Sequence, residues 1–305
     1  MAKARVIIKR RKAVSNIRRI TQTMQLISTA RYQKCLQRAL ATQPYTQKIT
    51  EIIETLGGQE SADHPLLRPG ENKSSALVLV ITSNRGLCGA YNAAVLRKMM
   101  ELRKSHLDAG RTITMEVVGK KGVNYLKFLG VPVSRSVADV EDRISFARVS
   151  EMAERYMAAF ERGELASVEV VYTRFVSVST QRPSVARLLP IEPVAEAAGA
   201  EGRGPVAARG GEPAGRPAQN AEFEFSPPPA ELLRRLIPEA VKVRLYQYFN
   251  DAIVSEQVAR MVAMKAATDA AGDMVKYLSR SYNRARQSQI TMELADIVGG
   301  ANAVQ

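Results

Sequence analysis

The residues of this chain that could cradle a ligand lie in one run, Thr82-Ser83-Asn84-Arg85-Gly86-Leu87-Cys88-Gly89-Ala90-Tyr91-Asn92. The run follows an apolar stretch, Ala76 to Ile81, and opens a helical pattern. Loops that bind phosphate through backbone N–H groups sit in that position. The chemistry on offer here is thin. A P-loop needs Lys and then Ser or Thr after its second glycine, and Ala90-Tyr91 stand there instead. A dinucleotide fingerprint needs three glycines at set spacing, and the run has only Gly86 and Gly89. The residues favour a tight strand-to-helix turn, and no cofactor is expected. No catalytic or metal-binding set can be assembled from paired carboxylates, from Ser, His and Asp, or from residues at metal-ligand spacing. His64 and His106 lie in polar, loop-like surroundings and read as surface residues. Cys35 and Cys88 stand in distant segments of different character, which indicates neither a disulfide framework nor a zinc site and suggests a reducing compartment. Asp269, Asp273, Glu293 and Asp296 fall at helical spacing and read as solvated or salt-bridged positions.

Because no single group is set up for chemistry, the elements themselves carry the information. The 305 residues are enough for about two domains. Tryptophan is absent and aromatics make up 6%, a balance that favours helices packed through small and flexible side chains. No run approaches the roughly 20 apolar residues that cross a bilayer. The formal net charge is +14, and it is concentrated. The first fifty residues carry twelve Lys and Arg and no acid, whereas the other 255 carry 32 basic against 30 acidic groups. Such an arm suits a nucleic acid, a mitochondrial transit peptide, an acidic protein partner or a merely solvated face. Charge alone leaves these open.

Beneath the charge runs a stripe, Val14, Ile17, Ile20, Met24 and Ile27, at the period of an amphipathic helix. One helix is predicted over most of residues 3 to 56, kinked or interrupted at Pro44 and stopped at Gly57-Gly58. That is too long for a typical transit peptide, and it carries the apolar seam of a coiled coil. A polar loop is expected over 59–75. Strands follow at 76–81, 112–118 and 168–175, with helices at about 92–107, 119–129 and 146–162 and a hairpin contributed by 176–189. Strands alternating with helices predict a mainly parallel sheet in a Rossmann-like α/β domain over 75–190. Residues 191–229 are rich in Ala, Gly, Pro, Glu and Arg and predict a mobile, low-complexity insert. A second long helix is predicted from 230 toward the C-terminus. Its stripe is Leu245, Phe249, Ala252, Ala259, Val262, Ala266, Met274 and Tyr277, and Gly299-Gly300 would end it. Seventy residues of helix measure on the order of 100 Å and need a partner along that length. The N-terminal helix, residues 1–58, is the other long one, so the two are expected to pair as an antiparallel coiled coil.

The most distinctive run is the C-terminal one. Ile290-Thr291-x-Glu293-x-x-Asp296-x-x-x-Gly300-Ala301-x-Ala303 follows the basic, amide-rich Asn283-Arg284-Ala285-Arg286-Gln287-Ser288-Gln289. It resembles the C-terminal signature of the gamma subunits of F-type ATP synthases. Three other runs are similar to that family: Ala259-Arg260-Met261-Val262-Ala263-Met264-Lys265-Ala266-Ala267-Thr268-Asp269-Ala270, Ile20-Thr21-x-x-Met24 with Ala30-Arg31 beyond it, and the glycine run at 82–92. The resemblance covers almost the whole chain from about residue 3, which argues against a cleaved presequence.

The resemblance implies a non-catalytic central-stalk rotor of a proton-translocating complex. Its two terminal helices would turn inside a ring of alpha and beta subunits, with catalysis on beta. The α/β domain would lie against epsilon and the membrane c-ring, with delta in the same complex. Membrane association would come only through the complex, at the cytoplasmic face of a bacterial inner membrane, and no nucleic acid would be bound. The resemblance further implies that Arg18, Arg19 and Met24 meet an acidic segment of beta, and that Arg286 and Gln287 meet a loop of beta. Ile290, Thr291, Leu294, Ile297 and Val298 would contact the ring, with the apolar tip turning in an apolar collar. The insert holds no cysteine, so it does not support thiol control of the kind known in the chloroplast form. The alternative from another class is a basic coiled-coil protein that binds nucleic acid, which leaves the apolar tip and the α/β domain unexplained.

Overall fold

The computed structural model describes residues 2–57, 64–68, 74–140, 142–191 and 229–304. It divides into two units, one of Arg31–Ala259 and one of Met1–Ala30 with Arg260–Gln305. The helices α1 (Ala2–Gly57) and α5 (Pro229–Val304) each contribute to both. Between them, in the larger unit, come a short 3-10 turn (Pro65–Leu67), β1 (Ser75–Ile81), α2 (Tyr91–Asp108), β2 (Thr112–Val118), α3 (Lys120–Phe128), β3 (Arg135–Val137), α4 (Phe146–Glu161), β4 (Ser167–Phe175) and β5 (Gln181–Leu189). The strand order is β3-β2-β1-β4-β5. The pairings of β1 with β2 and β4, and of β2 with β3, are parallel, and β5 closes the sheet antiparallel to β4.

β1 is central because it is apolar on both faces. Leu77, Leu79 and Ile81 point into a core shared with Met152, Tyr156 and Phe160 of α4 and Leu245 and Phe249 of α5. Val78 and Val80 point the other way, to Val95 and Met99 of α2 and Leu126 of α3. A strand covered on both sides needs the continuous apolar run seen here, and a half-covered strand would alternate. Cys35 and Ala39 of α1 join the first core. This segment of α1 and the start of α5 are therefore part of the α/β unit, with Ile49 packed on Ala240 and Val243.

Several expectations from sequence give way. α1 is continuous through Pro44, which is exposed. A proline in a helix frees the carbonyl four residues earlier. Here that is Leu40, itself exposed, so water can satisfy it, while buried Ala39 and Ile49 hold the helix on either side. α5 likewise runs past Gly299-Gly300 to Val304. Glycine costs a helix about 1 kcal/mol relative to alanine without forbidding it. The three-residue β3 was not foreseen, being polar and too short to show alternation. The insert, apart from Ile191 and Pro229, lies outside the described residues.

The two histidines are buried, against the surface positions expected of them. His64 Nδ1 accepts the Leu66 N–H at 3.2 Å and caps the 3-10 turn, and burial lowers its pKa. His106 Nε2 lies 3.0 Å from Glu169 Oε2 on β4. Their polar sequence neighbours concealed this, because only the pairing of distant segments brings them under cover.

Two sites in this unit yield predictions. Gly119 follows β2 with φ +95, and a Cβ there would sit 2.2 Å from the Thr82 carbonyl oxygen. Gly119→Ala is expected to lower the unfolding free energy by about 2–4 kcal/mol, read by denaturant titration. The second is Asp251 on α5. Burial pushes its carboxyl up to about 7, against the opposing effects of the Gln247 amide, which donates to Oδ1 at 2.9 Å, and of Arg174. A carboxyl raised on folding contributes stability below its unfolded pKa and loses it as pH rises through the folded value. The isosteric, uncharged Asp251→Asn should therefore melt at a higher temperature than the parent above pH 7, and the gap should narrow as pH falls below 7 and close only near the unfolded value, at about pH 4.

Candidate functional site

The residues nominated for partner contact all fall in the helical unit, so its geometry decides what they can do. Three contacts fix how α1 and α5 meet there. The Thr21 and Thr268 hydroxyls lie 2.8 Å apart, and each also reaches a carbonyl of its own helix, Arg18 at 3.0 Å and Met264 at 2.8 Å. The Arg18 guanidinium lies over Gly272, with Nε 3.6 Å from where a Cβ would stand. Arg11 Cζ sits 5.7 Å from the centre of the Tyr282 ring, within cation–π range. As the α1 number falls from 21 to 18 to 11, the α5 partner rises from 268 to 272 to 282. The pair is antiparallel.

Few side chains are fully buried between the helices: Thr21 and Ser28 on α1, and Arg260, Met264 and Ala271 on α5. Val14 and Met24 are half-buried. The remaining large members of the predicted stripes face outward: Ile17, Ile20 (60% exposed) and Ile27 on α1, and Val262, Met274 and Tyr277 (63% exposed) on α5. Ala266 is also exposed. The period was correct throughout, and the face was correct for Leu245, Phe249 and Ala252 in the α/β unit but not for these residues of the helical unit. Leu26, also outward, was not foreseen as part of this surface.

The nominated residues form two groups. Arg18 and Arg19 are exposed beside half-buried Met24. Arg286, Gln287, Ile290, Thr291, Leu294, Ile297 and Val298 lie toward the end of α5 and are all exposed, Ile297 to 70%. Gly272, opposite Arg18, is about 20 Å of helix from Arg286 at 1.5 Å per residue. Thr291 Oγ1 turns back to the Gln287 carbonyl at 3.0 Å. A Cβ at Gly299 would meet no atom within 4 Å. An exposed helix end lined with Ile, Leu and Val is an apolar contact surface, with the guanidinium and amide of Arg286 and Gln287 at its base.

The glycine run sits elsewhere, at the C-terminal end of β1, between β2 on one side and β4 on the other. Open α/β sheets bind ligands at such a reversal of strand order. Here its polar groups are engaged internally. Asn92 Oδ1 accepts the Ser83 N–H at 3.0 Å, and Asn92 Nδ2 reaches Ser83 Oγ at 2.8 Å. Ser83 Oγ donates to the Arg85 carbonyl at 2.7 Å. Thr82 Oγ1 bonds the Val118 carbonyl and accepts the Gly122 N–H. Leu87 takes a positive φ of 63, and it is exposed. α5 packs against this end of the sheet: the buried Tyr91 hydroxyl donates to the Ala252 carbonyl at 3.1 Å, and Ser255 Oγ to the Thr173 carbonyl at 3.2 Å. The turn is a structural bracket. Among the described residues, no group of three His, Cys, Asp or Glu could hold a metal ion.

Gly272 allows a test of the seam. The 3.6 Å clearance to Arg18 is ordinary van der Waals contact, so Gly272→Ala should stabilise the chain by about 0.5–1 kcal/mol through helix propensity alone. A loss of stability in thermal unfolding would mean that the helices meet more closely than this register allows.

Comparison with known proteins gives concordant results. A family model described as ATP synthase matches residues 3–304. An ATP synthase gamma chain of Rhodopirellula baltica is 43% identical over the full length of both chains. One from Leptospira biflexa is 33% identical, again over the full length of both. Among solved structures, a chain in the rotor of the Euglena gracilis mitochondrial ATP synthase superposes with a TM-score of 0.65 at 18% identity, covering 95% of this chain and 99% of its own. That last likeness concerns the fold.

Proposed function

This chain belongs to the ATP synthase gamma family, and from that premise we propose that it is the non-catalytic rotor of its complex, coupling rotation of a membrane c-ring to ATP turnover on beta subunits. The observation that carries this reading is the family match along the whole chain. The geometry supports it. Paired helices that leave Ile17, Ile20, Leu26, Ile27, Met274 and Tyr277 exposed offer apolar surface to a partner outside. The apolar end of α5 suits an apolar collar, and the acid-free α1 suits an acidic surface. α1 and α5 are unlike in charge and shape, so each orientation offers a different face to three like partners. A shaft shifts a site's equilibrium only through contacts that differ between states.

In this reading Arg18, Arg19 and Met24 meet beta along α1, and Arg286 and Gln287 meet a loop of beta. Ile290, Thr291, Leu294, Ile297 and Val298 bear on the ring. Alpha, beta, epsilon, delta and the c-ring are the partners. The complex holds the chain peripherally at the cytoplasmic face of a bacterial inner membrane, and no described helix is long and apolar enough to cross one. The nucleic-acid alternative gains nothing from the full-length family match.

Assembly and contact can be tested together. Co-purification with larger nucleotide-binding subunits is expected, and recovery with nucleic acid instead would reject the rotor reading. In the assembled complex, Arg286→Glu with Gln287→Ala should lower both ATP synthesis and hydrolysis by roughly tenfold, the scale of a central contact of 1–2 kcal/mol. Unchanged rates would remove these two residues from the interface.

A further inference from the structure

Much of the glycine run is fixed by hydrogen bonds, and two of its residues, Tyr91 and Asn84, reach other elements of the unit. Tyr91 bonds α5 directly at Ala252. Asn84 holds the loop that follows β3: its Nδ2 donates to the carbonyls of Ala138 and Val140 at 2.9 and 2.6 Å, while its Oδ1 accepts the Lys120 N–H at 3.0 Å. That loop presents Asp142 to both long helices. On the α1 side, Asp142 Oδ2 pairs with Arg31 Nη1 at 2.6 Å, and its backbone carbonyl accepts from Arg38 Nη1 at 3.2 Å and from the Cys35 thiol at 3.5 Å. On the α5 side, Asp142 Oδ1 accepts from Nε2 of Gln257, a fully buried residue, at 2.8 Å. Arg31 and Gln257 stand near the limits of the α/β unit, where α1 and α5 pass on into the helical one.

We propose that Asp142, braced by Asn84 of the glycine run, is a positioning residue that locks both long helices to the sheet and so carries torque between the α/β unit and the shaft helices. The proposal rests on the rotor reading above. Its physical basis is directionality. The apolar core that α1 and α5 share with the sheet keeps the buried faces of both helices inward, and hydrogen bonds and ion pairs add directional contacts that hydrophobic burial does not supply. A carboxylate bonded through one oxygen to α1 and through the other to α5 fixes the rotational setting of both helices relative to the sheet. The ion pair to Arg31 is half-exposed and adds little to stability, so its loss should show in coupling more than in folding. The same arrangement gives the run at 82–92 a purpose without a nucleotide, as the bracket that sets the loop.

The test uses the assembled complex in inverted membrane vesicles, comparing ATP hydrolysis with ATP-driven ion pumping. In Asp142→Ala, pumping per ATP hydrolysed should fall at least roughly threefold while hydrolysis stays within about twofold, the size of change expected from losing one ion pair and one buried hydrogen bond. Asp142→Glu, which keeps the carboxylate, should recover much of the loss. A parental pumping ratio in assembled Asp142→Ala overturns the proposal. If that variant does not assemble, Arg31→Ala and Gln257→Leu each remove one half of the tie from a single helix and are judged by the same two outcomes. Failure of the rotor reading looks different, because the unaltered chain would then show no coupled pumping at all.

Discussion

The seam between α1 and α5 is the constraint on which the helical unit depends. Thr21 and Ser28 on α1 and Met264 and Ala271 on α5 are buried there, and Gly272 lies under the Arg18 guanidinium. The Thr21–Thr268 hydroxyl pair and Arg11 over Tyr282 fix its register. Few side chains are buried completely, and Ile17, Ile20, Ile27, Met274 and Tyr277 stay exposed. In the α/β unit the opposite rule holds: Leu79, Tyr156, Leu245 and Phe249 are buried completely, and the core is large and closed.

The contrast explains what could be read from the sequence. β1 was legible almost to the residue, because a strand buried on both faces must be a continuous apolar run, and β2, with Thr112, Thr114 and Glu116 among its residues, was legible from its β-branched content. The helices α2 to α4 were legible from their period. The long helices were legible in extent but not in facing. Ile17, Ile20 and Ile27 recur at helical spacing whether that spacing serves a seam or an outer surface, and periodicity cannot tell the two apart. Only Thr21 opposite Thr268 and Arg18 over Gly272 show which side is inside. His106 was misjudged for a related reason: it lies on α2, and its partner, Glu169, is 63 residues away on β4.

The glycine run occupies the position of a ligand loop, at the reversal of strand order. Yet Asn92, Ser83 and Thr82 turn inward, and α5 lies against this end of the sheet, through Tyr91 and Ser255. Sequence spacing could disqualify the run as a phosphate cradle. It could not reveal that Asn84 reaches the loop carrying Asp142, because that contact spans more than fifty residues.

The outward apolar residues also bear on the chain's life before it meets a partner. Ile17, Ile20, Leu26 and Ile27 would make an adhesive surface on an unassembled helix. The same segment of α1 carries Arg18 and Arg19, and the first fifty residues hold twelve cations and no acid. Two copies approaching through this face meet like charge before they meet apolar surface, so the basic helix opposes its own self-association at long range.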